Sequence, residues 1–346
     1  MAKGPSDYTV EEIDPRDCEA VAAAYEAAWS GDPEPPLDIR RRCDWLYLAN
    51  PAGRARILVL RSPTGDAVGM QAVAPRTFWI NRSPRTLGLL CDLVVHKDHR
   101  SRLPALQLLR ATRACADHEG WPIYAVPNER ALRTFRQLDQ NRYVDRPRVA
   151  RPLRHRGYLS PRLGFSAAPV AWGLDALANA WDTLNSIGSG RHGVESPDEI
   201  DVTAHDALWQ RVMPAVCMGE RSGRFLRWRF WEEPDRRSRM LTIARSGDYG
   251  LAGYAIATFD NGHCSIRDLL IDSDSIPPRP ALALLLRAAR DLGSLSVSFR
   301  VRPDDAIARA FRTLGLRERE HETVVWYGDA REQFARSHFT RADEDV

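Results

Sequence analysis

The chain has 346 residues, 44% of them hydrophobic, and a formal net charge of +3. That length suits about two domains of ordinary size. The near-neutral balance argues against general nucleic-acid binding, and no apolar run approaches the roughly 20 residues that span a bilayer.

Tyr8 to Ile13 reads as a strand, and Asp14-Pro15 leads into an Ala-rich helix that ends near Trp29. Ile39 to Leu48 reads as helix, and Asn50-Pro51-Ala52-Gly53 as a turn. Strands are expected over Arg56 to Leu60, Ala67 to Pro75, Thr77 to Ile80 and Leu87 to Val95, then a helix over Leu103 to His118. Pro122 to Val126 forms the next strand, and Asn128 opens a helix to about Leu138. Arg146 to Arg156 is strongly basic and reads as a solvated linker. It leads to an amphipathic helix over Leu174 to Ile187 and a flexible link over Gly188 to Gly193.

The second part starts near Ile200, with Asp201 to Thr203 strand-like and Asp206 to Val216 helical. Met240 to Ala244, Gly250 to Phe259 and Cys264 to Ile271 read as strands, and Pro280 to Leu292 as a helix. Ser294 to Val301 is a strand, Asp305 to Leu314 a helix and Val324 to Tyr327 a last strand. The charged tail, Arg331 to Val346, is expected to fray.

The two parts repeat one another. Asn128 follows Asp92 by 36 positions, and Asp304 follows Asp268 by 36. Phe135 follows Asn128 by seven, as Phe311 follows Asp304. Trp45 precedes Pro51 by six, and Trp228 precedes Pro234 by six. So long a period indicates duplicated domains rather than a solenoid. Each copy reads as an α+β unit with one parallel β-α-β step. The expected division is 1–150, a linker with a helix over 151–196, a second unit over 197–330 and a tail over 331–346.

None of the six cysteines forms a C-x-x-C pair or sits at zinc-ligand spacing beside histidine, so no metal site is expected. The N-terminus has no apolar signal region, and a cytoplasmic location is the expectation.

Three segments carry a family resemblance: Val94-Val95-His96-Lys97-Asp98-His99-Arg100, then Arg100-Ser101-Arg102-Leu103-Pro104-Ala105, then Pro127-Asn128-x-x-Ala131-x-x-x-Phe135. They resemble the strand and turn, the Arg-x-x-Gly-x-Gly/Ala loop and the Asn-x-x-Ala-x-x-x-Tyr segment of the GCN5-related N-acetyltransferases. The resemblance implies two tandem GNAT-like acyl-CoA N-acyltransferase domains, each a mixed, mostly antiparallel sheet flanked by helices. It implies acetyl-CoA or another acyl-CoA as donor, and a small-molecule amine such as an amino sugar or amino acid as acceptor. A homo-oligomer is allowed.

By that resemblance, Leu93, Val94, Val95, Arg100, Ser101, Arg102, Leu103, Pro104, Ala105, Asn128, Ala131 and Phe135 fall where the donor binds. A helix N-terminus ringed by His96, Lys97, His99, Arg100 and Arg102 suits a pyrophosphate. Leu103 stands where the family carries a glycine, and Phe135 replaces the family's usual acid, a tyrosine. Asp92 lies where the family often carries a base, and reads either so or as a structural partner of an arginine. Tyr143, with Tyr124, is a candidate acid. The second copy's loop, Asp272-Ser273-Asp274-Ser275-Ile276-Pro277-Pro278-Arg279-Pro280, puts acids and prolines where phosphates would bind, so that copy is expected to have lost the donor. Two other readings stay open: an aminoacyl-tRNA-dependent transferase of the Fem type, and a non-catalytic pair kept for binding.

Overall fold

The strand pattern of both copies resolves into one 13-stranded mixed sheet in the computed structural model, which describes residues 8–32, 38–100, 102–157, 168–213, 217–235, 237–245, 250–302, 306–329 and 337–344. In chain order come β1 (Thr9–Ile13), α1 (Cys18–Trp29), α2 (Ile39–Arg42) running into a π-helical turn (Cys43–Leu48), β2 (Arg56–Arg61), β3 (Ala67–Ile80) and β4 (Ser83–Val95). Then follow α3 (Arg102–His118), β5 (Ile123–Ala125), α4 (Glu129–Phe135), β6 (Arg142–Pro152), α5 (Ala168–Ser186) and β7 (His192–Glu195). The rest is α6 (Val202–Val212), β8 (Met218–Gly219), α7 (Gly223–Leu226) with a π-helical turn (Arg227–Trp231), β9 (Ser238–Arg245), β10 (Leu251–Asp260), β11 (His263–Ile271), α8 (Pro278–Asp291), β12 (Ser296–Arg300), α9 (Ala306–Thr313) and β13 (Arg317–Tyr327).

The sheet order is β1-β2-β3-β4-β5-β13-β6-β12-β11-β10-β9-β7. The last strands of the two copies are exchanged: β13 pairs with β5, and β6 pairs with β12. β6 and β13 also pair with each other, from Trp326↔Arg142 to Arg317↔Ala150, and so fuse the two copies into one sheet. The parallel contacts are β4 with β5 and β11 with β12, one in each copy.

Several expectations differ from the structure. Ala67 to Pro75 and Thr77 to Ile80 are one strand, although proline breaks interior ladders. Pro75 is tolerated because β2 pairing ends at Val73, and beyond that point Asn50 Nδ2 donates to the Pro75 carbonyl at 2.8 Å. The basic stretch at Arg146 is strand β6, not a linker. Arg146 is buried against Glu322 and Glu344, and Arg151 against Asp182. Asp201 is no strand residue but the N-cap of α6, its carboxylate accepting from Ala204 N at 3.0 Å. The link at Gly188 contains a short 3-10 turn, Ile187–Ser189, and leads into β7.

The tail does not fray over its described part. Phe339, Thr340, Ala342, Asp343 and Glu344 are buried. Tyr124 Oη donates to the Asp343 carbonyl at 2.6 Å, and Arg221 Nη2 reaches the Asp343 carboxylate at 2.6 Å.

The repeated tryptophans meet across the pseudo-symmetry. Trp45 and Trp228 stack at 5.4 Å, and each indole N–H donates to the other's backbone carbonyl, at 2.9 and 3.0 Å. Both lie in π-helical turns and are buried in one core that joins the copies. Trp45→Phe keeps the ring but orphans the Trp228 carbonyl and deletes one N–H donor. A buried polar group so stranded costs about 1–3 kcal/mol, and urea denaturation should show a loss of that size.

Candidate active site

The β3–β4 ladder slips once. Met70 pairs with Val94 and Ala72 with Cys91, so Gln71 alone faces Asp92 and Leu93. This is a β-bulge, and Asp92 takes the left-handed conformation that it requires, with φ +55°. The bulge sits where β4 leaves β5. Their parallel pairing is Gly88↔Ile123 and Leu89↔Tyr124, so from Leu90 onward β4 shows an edge that β5 does not fill.

A cleft of about 370 Å³ opens there. Its floor is Leu90 to Leu93 and its far side Ala125, Val126 and Pro127. Asn128, Ala131 and Phe135 close one end, and Tyr25 and Trp29 of α1 form an aromatic wall. The wall rings stack at 5.8 Å. Five sequence-predicted residues therefore share one cleft: Asp92, Leu93, Asn128, Ala131 and Phe135.

Asn128 caps α4, its Oδ1 accepting from Ala131 N at 2.9 Å. Its Nδ2 makes no hydrogen bond among the described residues and remains a donor beside the cleft. The Asp92 carboxylate is almost wholly buried. Its Oδ2 accepts from Arg42 Nε at 2.8 Å and from Tyr47 Oη at 2.5 Å. Burial, reinforced by the Asp92 charge, pushes the Tyr47 hydroxyl well above its ordinary pKa, so Tyr47 stays a neutral donor.

Arg42 and Gln71 escaped the sequence reading, as did the bond of Tyr47 to Asp92. Tyr47 reads from the sequence only as part of an aromatic run, Trp45-Leu46-Tyr47, that packs the core or lines an acceptor cleft. Gln71 had a legible signal: it is the polar residue inside the apolar run Val68-Gly69-Met70-Gln71-Ala72-Val73. It is buried, and Thr112 Oγ1 of α3 donates to its Oε1 at 3.1 Å. Arg42 carried no such signal, because it is one of three consecutive arginines that end α2, and the π-helical turn that aims Tyr47 at Asp92 is not written in its neighbours.

The predicted phosphate loop is more occupied than expected. Arg100 Nε donates to the Val95 carbonyl at 2.7 Å, and its Nη1 to Asp32 Oδ1 at 2.8 Å. That hydrogen-bonded guanidinium lowers the Asp32 pKa. His99 Nδ1 meets Tyr8 Oη at 2.9 Å. Leu103 is exposed and Pro104 buried at the start of α3, with Ala105 half-buried. Val94 and Val95 are buried at the end of β4. Ser101 and the Arg102 side chain lie outside the described residues.

Neither candidate acid lines the cleft. Tyr143 is 38% exposed and donates to the Phe135 carbonyl at 3.0 Å. Tyr124 is a core residue bonded to Asp343. In both cases tertiary contacts, invisible in the sequence, commit the hydroxyl.

The second copy repeats the carboxylate without the cleft. Asp268 is fully buried, with Arg221 Nε at 3.0 Å and Tyr254 Oη at 2.8 Å. Thr340 Oγ1 adds a third bond at 2.6 Å, and His338 Nε2 reaches the Leu269 carbonyl at 3.0 Å. The tail thus lies against β11 just beyond the residues that β12 pairs, where the first copy is open. The loop after β11 is stapled by Asp272, which holds Arg211 Nε at 3.0 Å and Ser275 Oγ at 2.7 Å.

The same fold occurs in solved structures. The GCN5-related N-acetyltransferase from Anabaena variabilis ATCC 29413 superposes with a TM-score of 0.64 at 12% identity, over 92% of this chain and 72% of that one. The GCN5-related N-acetyltransferase from Kribbella flavida gives 0.61 at 11%, over 92% and 70%. This chain has the GNAT fold. The N-myristoyltransferase of Saccharomyces cerevisiae, solved with bound myristoyl-CoA, also superposes, with a TM-score of 0.54 at 11% identity over 99% and 89% of the two chains. No protein-family model matches the sequence, and no curated protein does. The α+β GNAT architecture therefore persists here at 11–12% identity to these structures, with only short segments of sequence resemblance. Among the described residues no helix is long and apolar enough to cross a membrane, and no cluster could hold a metal.

Proposed function

We propose that the chain is an acyl-CoA-dependent N-acyltransferase that acts through the first copy alone. Its donor is acetyl-CoA or a longer acyl-CoA, and its acceptor a primary amine on a small molecule such as an amino sugar or amino acid. The observation that carries this reading is the cleft at the β4 bulge, open between β4 and β5. We keep 1–150 and 197–330 as the two units and 331–346 as the tail, joined by 151–196, a segment that holds the end of β6, α5 and the edge strand β7.

An extended donor arm can add to the open edge of β4 by backbone hydrogen bonds, with Asn128 Nδ2 at its side. The pyrophosphate falls toward the start of α3. Arg100 would serve it only by sharing its guanidinium with Asp32. The acceptor nitrogen attacks the thioester carbonyl carbon, the C–N bond forms and the C–S bond breaks. Asp92 takes the amine proton, directly or through one water. The departing thiolate takes a proton from solvent, a step that does not need Tyr143.

Donor binding tests the reading. Acetyl-CoA or longer acyl-CoAs at about 100 times Kd should stabilise the chain by about 2.7 kcal/mol, seen as a raised Tm. Ala131→Trp, which fills the cleft, should abolish the rise. No rise with any acyl-CoA would refute the proposal, and a rise without turnover on any amine would favour the non-catalytic reading.

A further inference from the structure

Helix α5 is built inside out. On a wheel of 3.6 residues per turn, Val170, Leu174, Leu177, Trp181 and Leu184 fall within an arc of about 80°. All five are exposed, Leu177 to 68% and Leu184 to 61%. The adjacent arc carries polar groups and is turned toward the protein. Asp175 holds His155 Nδ1 at 3.0 Å, and Asp182 holds Arg290 Nη2 at 2.6 Å and also Arg151. Ser186 Oγ accepts from Arg287 at 3.1 Å, and Asn185 from Arg279. A surface helix of a globular protein has the reverse pattern. A contiguous apolar stripe of this length marks a surface that something covers.

Spacing and charge identify the occupant. Exposed Trp172 lies off the stripe under the Arg156 guanidinium, and the five positions of the stripe recur at intervals of four, three, four and three. That is the heptad seam, whose knobs need the holes of a facing helix. The two charged side chains of α5, Asp175 and Asp182, both turn inward. The outward face is therefore uncharged and can meet its own copy without repulsion, as a two-fold contact requires. Gly173 and Ala180 flank the seam and leave room for close approach. A lipid surface suits α5 poorly. Interfacial helices present Lys and Arg on a polar face to anionic headgroups, whereas α5 has neither residue and spends its polar face on the protein.

We propose that α5 is a dimerisation helix that pairs with α5 of a second copy of this chain. Leu177 is the middle residue of the five-position seam and so lies near its own equivalent in a two-fold pairing centred on the seam. Light scattering of the full chain over a dilution series should show a dimer. Leu177→Glu with Trp181→Glu should convert it to monomer while Tm falls little, because both side chains are exposed. Leu177→Cys supplies a measurement that needs no disruption. Mild oxidation should cross-link it to a dimer on a denaturing gel, while Thr183→Cys, on another face of the helix, should not cross-link. A wild-type monomer at every concentration, a dimer that survives the double substitution, or equal cross-linking at the two cysteines would overturn the proposal. So would a monomer whose α5 binds neutral or anionic vesicles.

Discussion

Arg221→Met is expected to destabilise the protein by about 3–5 kcal/mol, the usual cost of stripping one partner from a buried ion pair. Arg221 is almost fully buried and holds two buried carboxylates, Asp268 and Asp343. It also donates to Thr340 Oγ1 at 3.0 Å. The substitution keeps apolar volume and removes the charge, which leaves both acids in the core. Burial raises the Asp343 pKa, but Arg221 and Arg76 outweigh it and hold the group below its ordinary value. A carboxyl lowered on folding contributes stability that is present above its unfolded pKa and lost as pH falls through the folded one. Without Arg221 the burial effect dominates and the group prefers its proton. The gap between wild type and variant should therefore begin to narrow above about pH 4, where the variant's buried carboxyl takes up its proton. It should narrow further below about 4, near the unfolded pKa of Asp, as the wild type loses its contribution. Urea denaturation at a series of pH values measures both effects. A gap under about 1 kcal/mol, well short of the expected ~3 kcal/mol, would show that the network adds little.

Asp92→Asn is expected to lower kcat by about 10²–10⁴-fold, the range for losing a general base, while the acyl-CoA-induced rise in Tm persists. The asparagine carbonyl can still accept from Tyr47, so the bulge should keep its shape. A residual rate within tenfold of wild type would instead leave Asp92 as the anchor that Arg42 and Tyr47 suggest. Its buried counterpart Asp268 has an arginine and a tyrosine too, and among the described residues the tail lies over it. An Arg–Tyr–Asp cluster is therefore a device for holding a bulged strand, onto which the first copy has added access.

What the sequence revealed of this site follows the chemistry of each residue. Asn128, Ala131 and Phe135 lie on one short helix, and Asp92 and Leu93 on one strand, so local spacing was enough to group them. The bulge was hidden, because the left-handed backbone at Asp92 answers to the registry of β3 and not to its neighbours in sequence. Arg100 looked available because Asp32 lies 68 positions away. Strand β6 looked like a solvated linker because the acids that neutralise its arginines, Glu322 and Glu344, come from the far end of the chain. The alternation of β13 was legible only over its last residues, since most of Arg317 to Glu322 stays exposed. The tail looked frayed because its composition is charged, yet those charges are what buried Arg146 and Arg221 require.

The exchange of β6 and β13 has a consequence for biogenesis. After β5 has formed, its outer edge has no neighbour until Arg317–Tyr327 emerges from the ribosome. At about 5–20 residues per second, the roughly 190 residues between take some 10–40 s to synthesise. Through that interval the first copy carries a raw strand edge beside a hydrophobic core, the kind of surface that templates mispairing. Completion of the first copy's own sheet is thus tied to synthesis of the whole polypeptide, and a chain that terminates early leaves no finished half behind.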